Sequence, residues 1–376
     1  METCIINDSK KLKFVCKYII NNVDVLAIDT EFIRKSTYFP NLCLIQIAYY
    51  DGNNGLITYI IDTTIKDINL KHFFRVLSSK KVKKIIHSSS QDIEAFTGME
   101  GCKKINNLED TQLMCEFCGD ERLSYSAAVT KYMNIINFEK DKNIQAGNWK
   151  KRPLTKEQIK YAKNDVFYLI DLYRILSKKL VNDGKFELYT NEMSYFLKRQ
   201  TIDYFIKNYW KKLKFDIHKI NYNDLELVKK ISSWREEKAI NSNILRNIIF
   251  DNNLLMKLVK EKPSTKKELK IKFSEYKSIL SLPRNYKNEI VNIIKNHIDN
   301  INIDNDKKIF YMYKKGFPLK SKFKNMEDII ETISKNMNIN KDLLLTQHDM
   351  IFLITKYEPR RKILYGWKFG LLGKYV

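Results

Sequence analysis

The sequence predicts an α/β fold for its first half, with helices covering a mixed sheet, and an all-helical second half. Three observations carry this reading. Apolar runs rich in β-branched residues recur at turn-length spacing before about residue 90. Behind them, apolar residues recur at helical spacing after capping signatures. From about residue 200 onward no strand alternation is found.

Val23–Phe32 (VDVLAIDTEF) is the first strand expected. Leu42–Tyr50 and Leu56–Asp62 follow, and the DGNNG stretch between them offers the φ > 0 residues of a hairpin. A fourth strand is expected over Val82–His87, and helices over 67–78, 92–97, 111–118 and 124–133. Thr155–Val181 reads as one long helix. Thr155-x-x-Gln158 after Pro153 is a capping-box signature, Ile159, Ala162, Val166, Leu169, Ile170 and Tyr173 keep helical spacing, and Gly184 is a stop signal. Further helices are expected near 192–212, 223–241, 253–260, 265–273, 286–300, 306–315, 325–336 and 340–356. Thr265-x-x-Glu268 after Pro263 marks another helix start, Pro283 and Pro318 punctuate loops, and no fixed-period repeat is present.

The 376 residues are 44% hydrophobic and 12% aromatic, which excludes a disordered chain. With 11 Gly and 6 Pro, collagen-like and linker-rich readings fail too. Length alone suggests two or three domains, at roughly 100–200 residues each. The net charge is +23, from 67 Lys+Arg against 44 Asp+Glu. Residues 1–200 hold 31 basic and 24 acidic residues, and residues 201–376 hold 36 and 20, so the second half is the more basic. A polyanion footprint explains that charge. Lysine-rich drift explains it as well, because 56 of the 67 cations are Lys. Cys4, Cys16, Cys43, Cys102, Cys115 and Cys118 all fall in the first third, and the lone Cys115-x-x-Cys118 pair is expected to pack rather than bind metal. With no apolar leader region and no apolar run near ~20 residues, a soluble protein of a reducing compartment is expected.

Four carboxylates stand out. Asp29 and Glu31 lie at i and i+2 of an apolar strand and so share a face. Two such charges need positive compensation, for which a metal ion serves, unless the strand is an edge with both groups solvated. Asp92 follows the strand ending at His87, either as a site residue or as a first-turn acid favoured by the helix dipole. Asp165 sits mid-helix, one turn after Tyr161 and on the same face, with solvent exposure near Lys160 or Lys163 as the alternative. Together the four suit two hard divalent ions, Mg²⁺ or Mn²⁺, about 3.5–4 Å apart in a phosphoryl-displacement site. Tyr161, with an intrinsic pKa of ~10, suits orienting the attacking water better than acting as a base.

Asp29-Thr-Glu-Phe32, His87–Phe96 (HSSSQDIEAF) and Tyr161-Ala-Lys-Asn-Asp165 resemble the three motifs of the DEDD-type 3′→5′ exonucleases, in their tyrosine variant. Phe39-Pro-Asn41, Leu44–Ile47, Leu108–Leu113 (LEDTQL) and Trp149–Leu154 (WKKRPL) resemble the ribonuclease D family in particular. Ser233–Glu237 (SWREE), Leu245-Arg246 and Pro263-Ser264 resemble its first HRDC domain, and Leu364–Gly370 the end of a degenerate second one. The family has an Asp just before the Trp of the WKKRPL stretch, where Asn148 stands here, and Lys142 matches a Lys upstream.

The resemblance implies a ribonuclease H-like exonuclease domain over 1–210, an HRDC domain over 215–300 and a second HRDC-like domain over 305–376. It implies that Asp29, Glu31, Asp92 and Asp165 hold two divalent ions, with Asp29 bridging, and that Tyr161 orients the water. It further implies 3′→5′ release of nucleoside 5′-monophosphates from RNA such as tRNA precursors, by a cytoplasmic monomer with no membrane partner. Nucleic-acid contacts are expected at Phe32, Gln91, Lys142, Trp149, Arg152, Trp234, Arg235 and Arg246. For the aromatics Phe32, Phe39, Phe96 and Trp149, core packing is the competing role. A DNA exonuclease and a catalytically silent RNA-binding scaffold are the alternatives in function.

Overall fold

The computed structural model describes residues 4–53, 55–136, 138, 142–213, 220–301, 319–355 and 359–375. A six-stranded mixed sheet forms the first part, from β1 (Cys4–Ile6), β2 (Val25–Ile33), β3 (Asn41–Tyr50), β4 (Leu56–Asp62), β5 (Lys83–Ile86) and β6 (Leu108–Asp110). Their order is β1-β4-β3-β2-β5-β6. β2 and β4 run antiparallel to β3, while the β1–β4, β2–β5 and β5–β6 pairs are parallel. β2 is therefore an interior strand, which removes the solvated-edge explanation for Asp29 and Glu31.

Among the described residues, ten helices accompany the sheet. They are α1 (Ser9–Asn22), α2 (Lys71–Ser78), α3 (Ser90–Thr97), α4 (Thr111–Phe117), α5 (Tyr125–Met133), α6 (Lys142–Gln145), α7 (Lys156–Phe167), α8 (Leu169–Asn182), α9 (Phe186–Arg199) and α10 (Ile202–Asn208). α1 was not expected. It buries Leu12, Val15, Cys16 and Ile19, spaced as one helical face, and Asp8 caps it by accepting from Lys11 N at 2.7 Å. The single helix expected over Thr155–Val181 is two, divided at Tyr168, whose N–H donates to the Tyr125 hydroxyl at 3.1 Å. Side-chain periodicity carries across that break because α7 and α8 both bury their apolar faces. The capping box at its start is present, with Gln158 N donating to Thr155 Oγ1 at 3.2 Å and Thr155 N to Gln158 Oε1 at 3.1 Å.

A helical unit follows, from α11 (Tyr222–Asn241), α12 (Arg246–Ile249), α13 (Asn252–Glu261), α14 (Lys266–Lys272), α15 (Lys277–Leu280) and α16 (Arg284–Asp299). The last described part holds helices Leu319–Met337, Gln347–Thr355, Arg360–Ile363 and Trp367–Leu372. The helix expected near 306–315 lies outside the described residues. The one expected over 340–356 is a short 3-10 turn, Lys341–Leu343, and then Gln347–Thr355. No helix among the described residues is long and apolar enough to cross a membrane. Cys115 and Cys118 are buried, free thiols, in keeping with packing.

The parts are joined by buried polar nodes. In the first, the Tyr38 hydroxyl donates to Glu236 Oε2 at 2.8 Å, and Arg246 Nε donates to Glu236 Oε1 at 2.8 Å. The Arg246 guanidinium also lies 4.1 Å from the Tyr209 ring centre and 5.0 Å from that of Tyr38. Phe39 N donates to Asn243 Oδ1 at 3.2 Å. Gly98 lets that segment approach α3, because a Cβ there would stand 2.4 Å from Phe39 Cβ. In the second node, Glu192 of α9 accepts from Arg199 at 3.0 Å, from the Tyr365 hydroxyl at 2.7 Å and from Trp367 Nε1 at 3.1 Å. Lys185 Nζ adds a bond to Asn338 O at 2.8 Å.

Candidate active site

β2 delivers Asp29 and Glu31 past the end of its pairing with β5, which stops at Ala27. α7 packs against β2, β3 and β4 and brings Asp165 to the same place. One oxygen of each of Asp29, Glu31 and Asp165 lies within 4.8 Å of the others. Glu31 and Asp165 are buried, so their like charges meet where water screens them poorly. Three hard oxygen donors at that spacing fit a divalent cation.

Asp92 is not part of that trio. It is buried in the first turn of α3, and its Oδ1 accepts from Thr30 Oγ1 at 2.5 Å. Thr30 lies between Asp29 and Glu31 on β2, so the fourth carboxylate is tied to the same strand through a hydroxyl. Burial pushes the Asp92 carboxyl well above the usual carboxylate range, the Thr30 hydroxyl opposes the shift, and nearby Asp110 reinforces it. The lead-in to α3 is held by Asp110, which the sequence reading did not single out. Its carboxylate accepts from Ser88 N at 3.0 Å, Ser89 N at 2.8 Å and Ser89 Oγ at 2.8 Å, and it caps α4 through Gln112 N at 2.9 Å. Its place as an N-cap in LEDTQL was the available signal.

Tyr161 is buried, and burial raises its phenol above the ordinary value, with the Asp165, Glu31 and Asp29 carboxylates adding to the shift. Such a phenol stays protonated at neutral pH. It rests in a small apolar cluster of Cys43, Leu44, Ile60, Trp149 and Ala162 beneath the carboxylates.

Most of the expected nucleic-acid contacts serve the fold instead. Trp149 is 1% exposed, lies 5.9 Å from the Tyr161 ring and donates from Nε1 to Gln145 O at 3.1 Å, so it supports Tyr161 and offers no face to a base. Arg152 spends its N–H groups on Asp62 at 2.5 and 2.6 Å, Trp149 O at 2.7 Å, Lys151 O at 2.9 Å and Cys43 O at 3.3 Å. Trp234 is buried, bonded to Glu289 Oε2 at 2.7 Å and stacked on Phe250. Arg235 is 0% exposed and donates to Phe250 O at 3.0 Å and Asn252 Oδ1 at 2.8 Å. Arg246 belongs to the Tyr38–Glu236 node. Each of these residues resembles a surface cation or ring in sequence, and the fold turns it inward onto a specific acceptor. Phe96 is a core residue, and Phe32 and Phe39 are half-buried against the core. Gln91 is exposed one residue before Asp92. The side chain of Lys142 lies outside what is described.

The class of protein that fold and site resemble is the 3′-5′ exonuclease family. Residues 4–181 match the family described as 3′-5′ exonuclease, and residues 224–271 match the HRDC domain. The crystal structure of Escherichia coli RNase D, an exoribonuclease involved in structured RNA processing, shares the fold with a TM-score of 0.74 at 22% identity, over 100% of this chain and 97% of that one. Ribonuclease D of Bartonella henselae is 35% identical over 252 residues, 67% of this chain and 59% of that protein. Ribonuclease D of Desulfotalea psychrophila is 30% identical over 273 residues, 70% of this chain and 68% of that protein. The chain belongs to the ribonuclease D family.

Proposed function

We propose that the protein is a 3′→5′ exoribonuclease that hydrolyses the terminal phosphodiester and releases nucleoside 5′-monophosphates, trimming the 3′ ends of structured RNA such as tRNA precursors. The observation that carries this is the approach of Asp29, Glu31 and Asp165 to within 4.8 Å beside Tyr161, in a ribonuclease D-family chain. The Escherichia coli relative, which acts in structured RNA processing, supports the substrate class. The reading assigns Mg²⁺ or Mn²⁺ to Asp29, Glu31 and Asp165, and a second ion to Asp29 and Asp92. Such ions, when bound, lower the pKa of the attacking water and offset charge developing on the phosphate. Tyr161, kept protonated, holds that water in line by hydrogen bonding, and Trp149 fixes the Tyr161 ring. Thr30 sets the direction of Asp92. The domains proposed are 1–210, 215–300 and 305–376, in a cytoplasmic monomer.

The test uses 5′-labelled RNA and DNA oligonucleotides with Mg²⁺, with Mn²⁺ or with chelator. Stepwise shortening of RNA that stops in chelator is the expected result. Preference for DNA would make it a DNA exonuclease, and binding without shortening would make it a scaffold.

A further inference from the structure

The residues expected to grip RNA in the second half are internal, so the basic charge of the chain needs another address. A groove of about 660 Å³ runs between α9, α10 and the turn Tyr209–Lys212 on one side and residues 342–349 and 361–368 on the other. Ser90, two residues before Asp92, lines it. Lys198, Lys211 and Lys212 line the first wall, and Arg361 and Lys362 the second. Among the described residues no carboxylate pairs with any of these five cations. Four acids line the groove against eight Lys and Arg, and of these Asp342 and Asp349 form no ion pair among the described residues. Glu116 takes Arg122 at 2.9 Å, Glu192 takes Arg199 at 3.0 Å and Lys368 at 3.4 Å, and Asp349 accepts from Thr346 Oγ1 at 2.7 Å.

The lysines of the first wall sit over rings instead of acids. Lys198 Nζ is 5.0 Å from the Tyr195 ring centre, Lys212 Nζ 5.6 Å from Phe205, and Lys211 Nζ 5.7 Å from Trp210. A ring orients an ammonium without neutralising it, so the full charge remains available to a phosphate. Basic walls with aromatic side chains between them are how sequence-tolerant single-strand sites are built.

We infer that this groove is the track for the unpaired 3′ strand, holding phosphates several nucleotides upstream of the cut. The inference rests on the exonuclease reading of the carboxylate site. It moves the grip from the HRDC core residues to the junction between the nuclease part and the C-terminal helices.

The test compares the full chain with a fourfold variant, Lys198→Gln, Lys212→Gln, Arg361→Gln and Lys362→Gln, all at exposed positions. A control variant changes the exposed Lys266, Lys267, Lys270 and Lys272 of α14 to Gln. Binding of a long single-stranded RNA in chelator is followed by fluorescence anisotropy against salt. The groove variant should flatten the log–log salt slope by about 3, at about 0.7 per lost single-strand phosphate contact. Its cleavage of a trinucleotide, which offers the groove few phosphates, should fall far less than its binding of the long strand. An unchanged slope overturns the inference, as does a loss confined to the α14 variant or an equal change on blunt duplex RNA. Failure of the unaltered chain to shorten any RNA defeats the exonuclease reading separately, because the binding arm needs no turnover.

Discussion

Replacing Arg152 by Ala separates a structural clamp from a phosphate contact. The five N–H groups of Arg152 all donate within the fold, two of them to Asp62, which is 4% exposed. Stripping one partner from a fully buried ion pair costs about 3–5 kcal/mol. The Arg152 side chain is 25% exposed, and Thr64 still donates to Asp62 from N at 3.0 Å and Oγ1 at 2.7 Å. Water entry and those bonds bring the expected loss to about 2–3 kcal/mol. At about 2–4 °C per kcal/mol for a unit of this size, Tm of the nuclease part should fall by about 5–10 °C. Circular dichroism melts of the full chain measure it, in a cycle with Asp62→Asn, where the double variant should fall little below the worse single one. The pH dependence has a definite sign. Burial works to raise the Asp62 carboxyl, but hydrogen bonds from Arg152 and Thr64 outweigh it and hold it below the usual value. The contribution is therefore complete above about pH 4 and fades as pH falls through the lower native value, so the gap in Tm should narrow only in acid. If Arg152→Ala melts with the unaltered chain while its RNA salt slope flattens by about 0.7, Arg152 faces phosphate and the clamp reasoning is wrong.

Asp165→Asn should cut RNA shortening by at least about 10²-fold while Tm holds or rises, because three crowded carboxylates become two; near-normal turnover would refute its place in the site. Tyr161→Phe should slow turnover by about 10–10²-fold without changing the shape of the pH–rate profile up to about pH 10, because the raised phenol does not titrate there. A limb present only in the unaltered chain would mean that Tyr161 works as a base. Arg246→Ala leaves Glu236, at 0% exposure, with Tyr38 as its hydrogen-bond donor among the described residues, so urea unfolding should show a loss of about 3 kcal/mol, with the RNA salt slope unchanged.

The parts of the fold that announced themselves were those with a local cause. β4 spans Leu56–Asp62 as its apolar run predicts, although Gly52, Asn53 and Gly55 do not take up the positive φ expected of the turn, and the Thr155 capping box forms as its spacing implies. The trio of carboxylates was legible because an alternating strand and a helical turn each place two groups on one face. What stayed hidden depended on distant partners. Nothing local to Arg152 announces Asp62, ninety positions away, and nothing local to Arg235 announces a half-buried amide and a buried carbonyl. The break at Tyr168 depends on a hydroxyl supplied by Tyr125. Thr30 was visible only as the residue between two acids, yet it is the link that binds Asp92 to β2.

The Tyr38–Glu236–Arg246–Tyr209 node has a consequence for anyone cutting or grafting this chain. Tyr38 follows β2 by five residues, is 4% exposed and finds its acceptor in α11. The nuclease part is therefore not a freestanding cassette. Removing the helical unit would bare a tyrosine and the Phe39 backbone N–H immediately downstream of the strand that carries Asp29 and Glu31. A transplant of the catalytic sheet onto another scaffold would need either the α11–α12 hairpin with it or a rewritten 36–40 segment. The strand that delivers the acids and the helical unit of α11 and α12 share one hinge pin, so slack introduced at the second is felt at the first.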